Sequence, residues 1–153
     1  MRRTISNSDN VIDSRDVIAR IDELTDERDN HTPQCVTCGC EDTCDTENHE
    51  PHDFVPEPST LWGAEYPEDE QELADLIALQ DEADGSPDWQ HGETLIRDSY
   101  FEDYARELAE DCGMLKDADT WPGRCIDWGR AAGELQQDYM SADYDGITYW
   151  IRS

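Results

Sequence analysis

Residues 139–151 read YMSADYDGITYWI. Runs of Tyr, Ile, Thr and Trp flank Asp145-Gly146. An Asp-Gly pair between such runs is a strong short-range hairpin signal, because both turn positions take a positive φ. The stretch predicts strands over 139–144 and 147–151 joined by a turn at Asp145-Gly146.

Upstream, apolar residues recur at helical spacing. Val17, Ile18, Ile21 and Leu24 predict a helix from Ser14 to about Arg28, with Ser14 as N-cap. A second helix is predicted from Pro67 to Ala83. Proline suits its first turn, and Glu68, Asp69, Glu70 and Glu72 suit the positive end of its dipole. Leu73, Leu76, Ile77 and Gln80 form its packed stripe, and Gly85-Ser86-Pro87 ends it. Glu93–Arg97 reads as a short strand. A third helix runs from Ser99, boxed with Glu102, to Cys112, with Phe101, Tyr104, Ala105, Leu108 and Cys112 inward and Gly113 as its stop. A fourth follows a cap at Asp127 and packs Trp128, Ala131, Ala132 and Leu135. Gly129 and Gly133 weaken it by about 1 kcal/mol each relative to Ala.

Residues 29–62 have no apolar periodicity and are rich in proline, cysteine and histidine, which predicts an irregular segment. The expected fold is α+β: a small, mainly helical acidic domain with a C-terminal β-hairpin and an irregular Cys/His-rich loop. Along the chain this gives a helical segment over 1–29, the Cys/His loop over 30–64, and the acidic α+β domain over 65–153.

Charge is the strongest compositional signal. The chain has 39 acids and 11 bases, for a net charge of −28, and no Lys or Arg lies between Arg28 and Arg97. Such one-signed charge opposes folding through self-repulsion, so it calls for a function. It excludes direct binding to nucleic acid or an anionic membrane, which need cationic surface. Thirteen aromatic residues argue against a purely solvating tail. No apolar run approaches the roughly 18 residues of a membrane span, and the N-terminus lacks a secretory core, so the expected compartment is the cytoplasm.

Cys35, Cys38, Cys40 and Cys44 follow a C-x2-C-x-C-x3-C pattern, with His31, His49 and His52 nearby. Zinc takes four thiolate or imidazole ligands, and C-x2-C is a common half-site. The segment is therefore either a zinc knuckle on Cys35, Cys38, Cys40 and Cys44, with His49 as an alternative ligand, or a loop of reduced thiols. Cys112 and Cys125 are expected in or near the core. The sequence carries no nucleophile elbow, P-loop, zincin or dinucleotide motif, and the expectation is a protein without enzymatic activity.

The remaining lead is the acidic surface itself. At the charge density of B-DNA, one charge per roughly 1.7 Å of axis, 28 charges cover about 48 Å, or roughly 14 base pairs. Candidate phosphate surrogates are Glu68, Asp69, Glu70, Glu72, Asp75, Asp81, Glu82 and Asp84 on or near the second helix, and Glu102, Asp103, Glu110 and Asp111 on the third. Trp128, Tyr149 and Trp150 are candidates for either core or an apolar interface.

The C-terminal third also carries a family pattern. Phe101, Tyr104, Ala105, Glu107 and Leu108 are followed by Ile126, Asp127, Trp128, Ala131, Ala132 and Leu135, then by Asp138, Tyr139, Gly146, Tyr149 and Arg152. This resembles the end of ArdA-type antirestriction proteins, with Gly133 and Glu134 where the family has Arg-Asp. The resemblance implies a phage or mobile-element product that mimics duplex DNA, often as a dimer, and blocks the DNA groove of type I restriction-modification enzymes. The competing expectation is a small zinc-binding adaptor that docks a basic host protein.

Overall fold

The computed structural model describes residues 5–31 and 58–153. Cys35, Cys38, Cys40, Cys44, His49 and His52 lie outside the described residues. In chain order the elements are β1 (Val11–Asp13), α1 (Ser14–Asp29), α2 (Pro58–Glu65), α3 (Pro67–Ala83), α4 (Trp89–Gly92), β2 (Thr94–Arg97), α5 (Phe101–Asp111), α6 (Trp128–Leu135), β3 (Tyr139–Tyr144) and β4 (Ile147–Arg152). Helices with an antiparallel sheet and a C-terminal hairpin make this an α+β fold.

The chain forms two compact units, Met1–Arg20 with Asp75–Ser153, and Ile21–Ala74. This grouping differs from the three stretches read from the sequence, because β1 near the N-terminus pairs with β2.

The first unit is built on a four-stranded sheet of order β1-β2-β4-β3, antiparallel throughout. The hairpin forms as its sequence predicts. Tyr139 opposes Arg152 and Tyr144 opposes Ile147, and the turn residues Asp145 and Gly146 have φ of 47° and 75°. Register decides which face each side chain takes. Ile96 opposes Trp150, and this face is covered by α5 and α6 through Phe101, Ala105 and Ala132. Phe101 meets the rings of Tyr139 and Trp150 edge-on, and Trp150 Nε1 donates to Asp98 at 2.7 Å. Ile12, Leu95, Ala142, Tyr144, Tyr149 and Ile151 share the other face and are buried. The turn after α3 reaches this side: a side chain at Gly85 would meet Met140, and Ser86 Oγ donates to the Arg152 carbonyl.

Two expected caps take other roles. Ser14 is buried, and its hydroxyl donates to the Trp89 carbonyl and accepts from Glu93 N–H, while Asp13 accepts from Arg15 N–H. A tertiary bond thus displaces the local one at Ser14, and Asp13 takes the cap. Ser99 falls in a 3₁₀ turn ahead of α5, whose N-cap position is Tyr100 with no side-chain bond. Asp127 caps α6 as expected, accepting from Arg130 N–H. On α3 the buried stripe is Leu73, Leu76, Leu79 and Ala83, whereas Ile77 is 38% exposed. Cys112 and Cys125 are both exposed: Cys112 lies just past the end of α5, and Cys125 ends a 3₁₀ turn over Gly123–Cys125.

The second unit holds the last turns of α1, then α2 and the start of α3. Trp62, Leu24 and Leu73 are buried in it. Trp62 stacks at a tilt on Tyr66, whose ring meets His31 edge-on, and His31 Nε2 lies 3.0 Å from Glu65. Helix α2 falls in the stretch expected to be irregular. Pro58 is its first residue, a position where the missing N–H costs nothing.

Tyr139 gives the first unit a pH limit. Burial, followed by the 3.1 Å bond to the Tyr104 hydroxyl, raises its phenol well above the ordinary value. A raised folded-state value means that the contribution to stability is intact below about pH 10 and declines as pH rises above it. Alkaline unfolding, followed by circular dichroism, should therefore begin above about pH 10. Tyr139→Phe should move it to higher pH, and an unchanged alkaline midpoint would contradict this assignment.

Candidate polyanionic surface

Helix α5 shows how sequence builds a charged ridge. Phe101 and Ala105 are buried, and Tyr104 and Leu108 half-buried, which turns Glu102, Asp103, Glu107, Glu110 and Asp111 outward, all exposed. Glu102 and Asp111 are separated by about 14 Å of helix rise. One DNA strand carries roughly four phosphates over that length. The helix carries five carboxylates there in two i, i+4 rows, Asp103-Glu107-Asp111 and Glu102-Glu110. Its one base, Arg106, falls between Glu102 and Glu110 and is paired with Asp119.

Two of these acids are held in place. Glu110 accepts from Ala118 N–H at 2.8 Å, and Glu107 accepts from the Tyr100 hydroxyl at 2.8 Å. That second bond is the main cause of the raised Tyr100 phenol. Both acids lose freedom through these bonds, which favours a preorganised display over a mobile one.

Helix α3 differs from the expectation. Glu68, Glu70, Asp81, Glu82 and Asp84 are exposed, but Asp69, Glu72 and Asp75 are half-buried and engaged locally. These three flank the buried stripe, and the outward positions Ile77 and Ala78 are apolar. The Glu70 carboxylate lies over Gly63. Glu82 accepts from Asp143 N–H at 2.8 Å. This caps an outward-facing donor on the edge strand β3, a position otherwise open to pairing with another chain.

The sequence reading passed over Asp22 and Asp26, exposed on α1. Their i, i+4 spacing opposite Val17 and Leu24 was the available signal. Three further bases sit in local pairs: Arg15 with Asp13 at 2.7 Å, Arg28 with Asp29 at 3.0 Å and Arg130 with Glu134 at 3.4 Å. Tyr149 belongs to the core, and Trp128 and Trp150 are half-buried.

Among the described residues, no cluster of three or more His, Cys, Asp or Glu is arranged to hold a metal ion, and no helix is long and apolar enough to cross a membrane. Comparison with family models, curated proteins and solved structures returned no match.

Proposed function

We propose that this chain is a non-enzymatic DNA mimic that occupies the DNA channel of a basic host defence complex, with type I restriction-modification enzymes as the first target class. The observation that carries the reading is the α5 ridge, whose five exposed carboxylates, less Arg106, match the charge density of one DNA strand. Each carboxylate acts as a phosphate surrogate, and Arg106, engaged with Asp119, leaves the ridge net negative. The C-terminal sequence resemblance supports the same reading.

The test is displacement of a fluorescent duplex from a purified type I restriction-modification complex over a series of salt concentrations. The expected result is stoichiometric displacement at low salt, weakening about tenfold or more between 50 and 200 mM salt. No displacement, or affinity that stays flat with salt, would sink the proposal. Cleaved or modified duplex after incubation with this chain alone would replace it with an enzyme.

A further inference from the structure

Residues 112–127, between α5 and α6, combine an ordered backbone with displayed apolar side chains. Met114 is 78% and Trp121 75% exposed. Yet the segment is firmly held. Ala118 is buried and its N–H is bonded to Glu110, and Arg106 pairs with Asp119. Gly123 packs so closely that a side chain there would meet the Ala118 Cα at 2.8 Å. Arg124 N–H donates to the Thr120 carbonyl at 2.9 Å and Ile126 N–H to the Gly123 carbonyl at 3.1 Å, closing the turn on both sides of Trp121. A loose loop could fold an indole against the protein. This one holds it in solvent, the arrangement of a preorganised binding anchor.

Charge selects what meets it. Around the turn Arg106, Lys116 and Arg124 balance Glu110, Asp117 and Asp119, while Asp111 before it and Asp127 after it make the surroundings negative. A cation is therefore drawn to an indole whose own neighbourhood is near neutral. Tryptophan is the best cation–π acceptor, and the planar guanidinium stacks where an ammonium does not.

We propose that Trp121 is an arginine-stacking anchor, receiving a guanidinium from the basic partner. The identity of that partner rests on the reading above, but the stacking site does not. Stacking adds to the preference for arginine that bidentate pairing with the ridge carboxylates already gives, and only the stacking part depends on Trp121.

The test uses a deca-arginine peptide with deca-lysine as the charge-matched control. Each is titrated into the full chain by calorimetry at low and moderate salt. The wild type should prefer deca-arginine by about threefold to thirtyfold, the range expected of one cation–π contact. Trp121→Ala and Trp121→Leu should reduce the preference to what bidentate carboxylate pairing alone gives, and Trp121→Phe should keep part of the difference. Circular dichroism should show all three variants folded, since the side chain is mostly solvated. A preference undiminished in Trp121→Ala would overturn the proposal. An undiminished preference in Trp121→Leu would do the same, since it would point to simple apolar contact. Failure to displace duplex from the restriction complex would defeat the mimic reading and leave this comparison standing.

Discussion

Tyr149→Ala should lower the unfolding free energy by about 3–5 kcal/mol, enough to leave a large fraction of the chain unfolded at 37 °C. Tyr149 is 0% exposed on β4, which lies between β2 and β3, and it opposes Arg97 on one side and Ala142 on the other. Its hydroxyl donates to the Asp9 carbonyl at 2.8 Å and approaches the Asn7 carbonyl at 3.2 Å, tying the N-terminal segment to the sheet. Truncation removes the ring contacts, opens a cavity and releases that segment together. The acidic surface leaves little reserve, because self-repulsion already opposes the compact state. Tyr149→Phe separates the terms: it keeps the ring and loses the hydrogen bond, for about 1 kcal/mol. Urea unfolding measures both. A loss below about 1 kcal/mol for Tyr149→Ala would remove this residue from the centre of the core.

The contrast between the hairpin and the rest of the sheet shows which parts of the fold are written locally. Asp145-Gly146 dictates its own turn, and Asp127 and Gly113 mark helix ends through backbone chemistry that needs no distant partner. Strand β1 is three residues long, and nothing in Val11–Asp13 distinguishes it from a helix lead-in until β2 supplies its hydrogen bonds. Ser14 has the chemistry of a cap, but the Trp89 carbonyl and Glu93 N–H compete for the same hydroxyl from 75 and 79 residues away. On α3, Leu76 and Ile77 are adjacent and only one can face inward. The choice depends on what covers the helix, which the periodicity of one sequence leaves open. Proline density hid α2, since Pro58 reads equally as a breaker and as a first helical residue.

Acidity was legible as a total and much less so as a surface. Thirty-nine acids announce a polyanion, but a helix displays only those opposite its buried stripe. Asp69, Glu72 and Asp75 flank that stripe and are engaged, and Glu82 and Glu110 bond backbone N–H groups. Helix α5 escaped this ambiguity because its aromatic face is wide and unambiguous, which fixes the opposite side as well.

That difference defines the more demanding experiment. The triple variant Glu102→Gln, Asp103→Asn, Asp111→Asn removes three exposed charges from the α5 ridge and leaves Glu82, Glu107 and Glu110 to hold their partners. Each exposed charge contact contributes up to about 1 kcal/mol at low salt, so duplex displacement should weaken by about tenfold to a hundredfold. The dependence of affinity on salt should flatten, because fewer contacts are screened. Stability should change little, since relief of the repulsion among Asp103, Glu107 and Asp111 offsets the first-turn dipole contribution of Glu102 and Asp103. The decisive comparison is a second triple, Asp22→Asn, Asp26→Asn, Asp88→Asn, which changes net charge equally at exposed sites outside α5 in the chain. A diffuse polyanion would respond to both triples alike, because only its total charge matters. A mimic whose α5 ridge takes the place of a DNA strand should respond mainly to the first. Equal losses would therefore refute the ridge as the recognition element even if displacement itself is confirmed, and would reduce the protein to a soluble counter-charge.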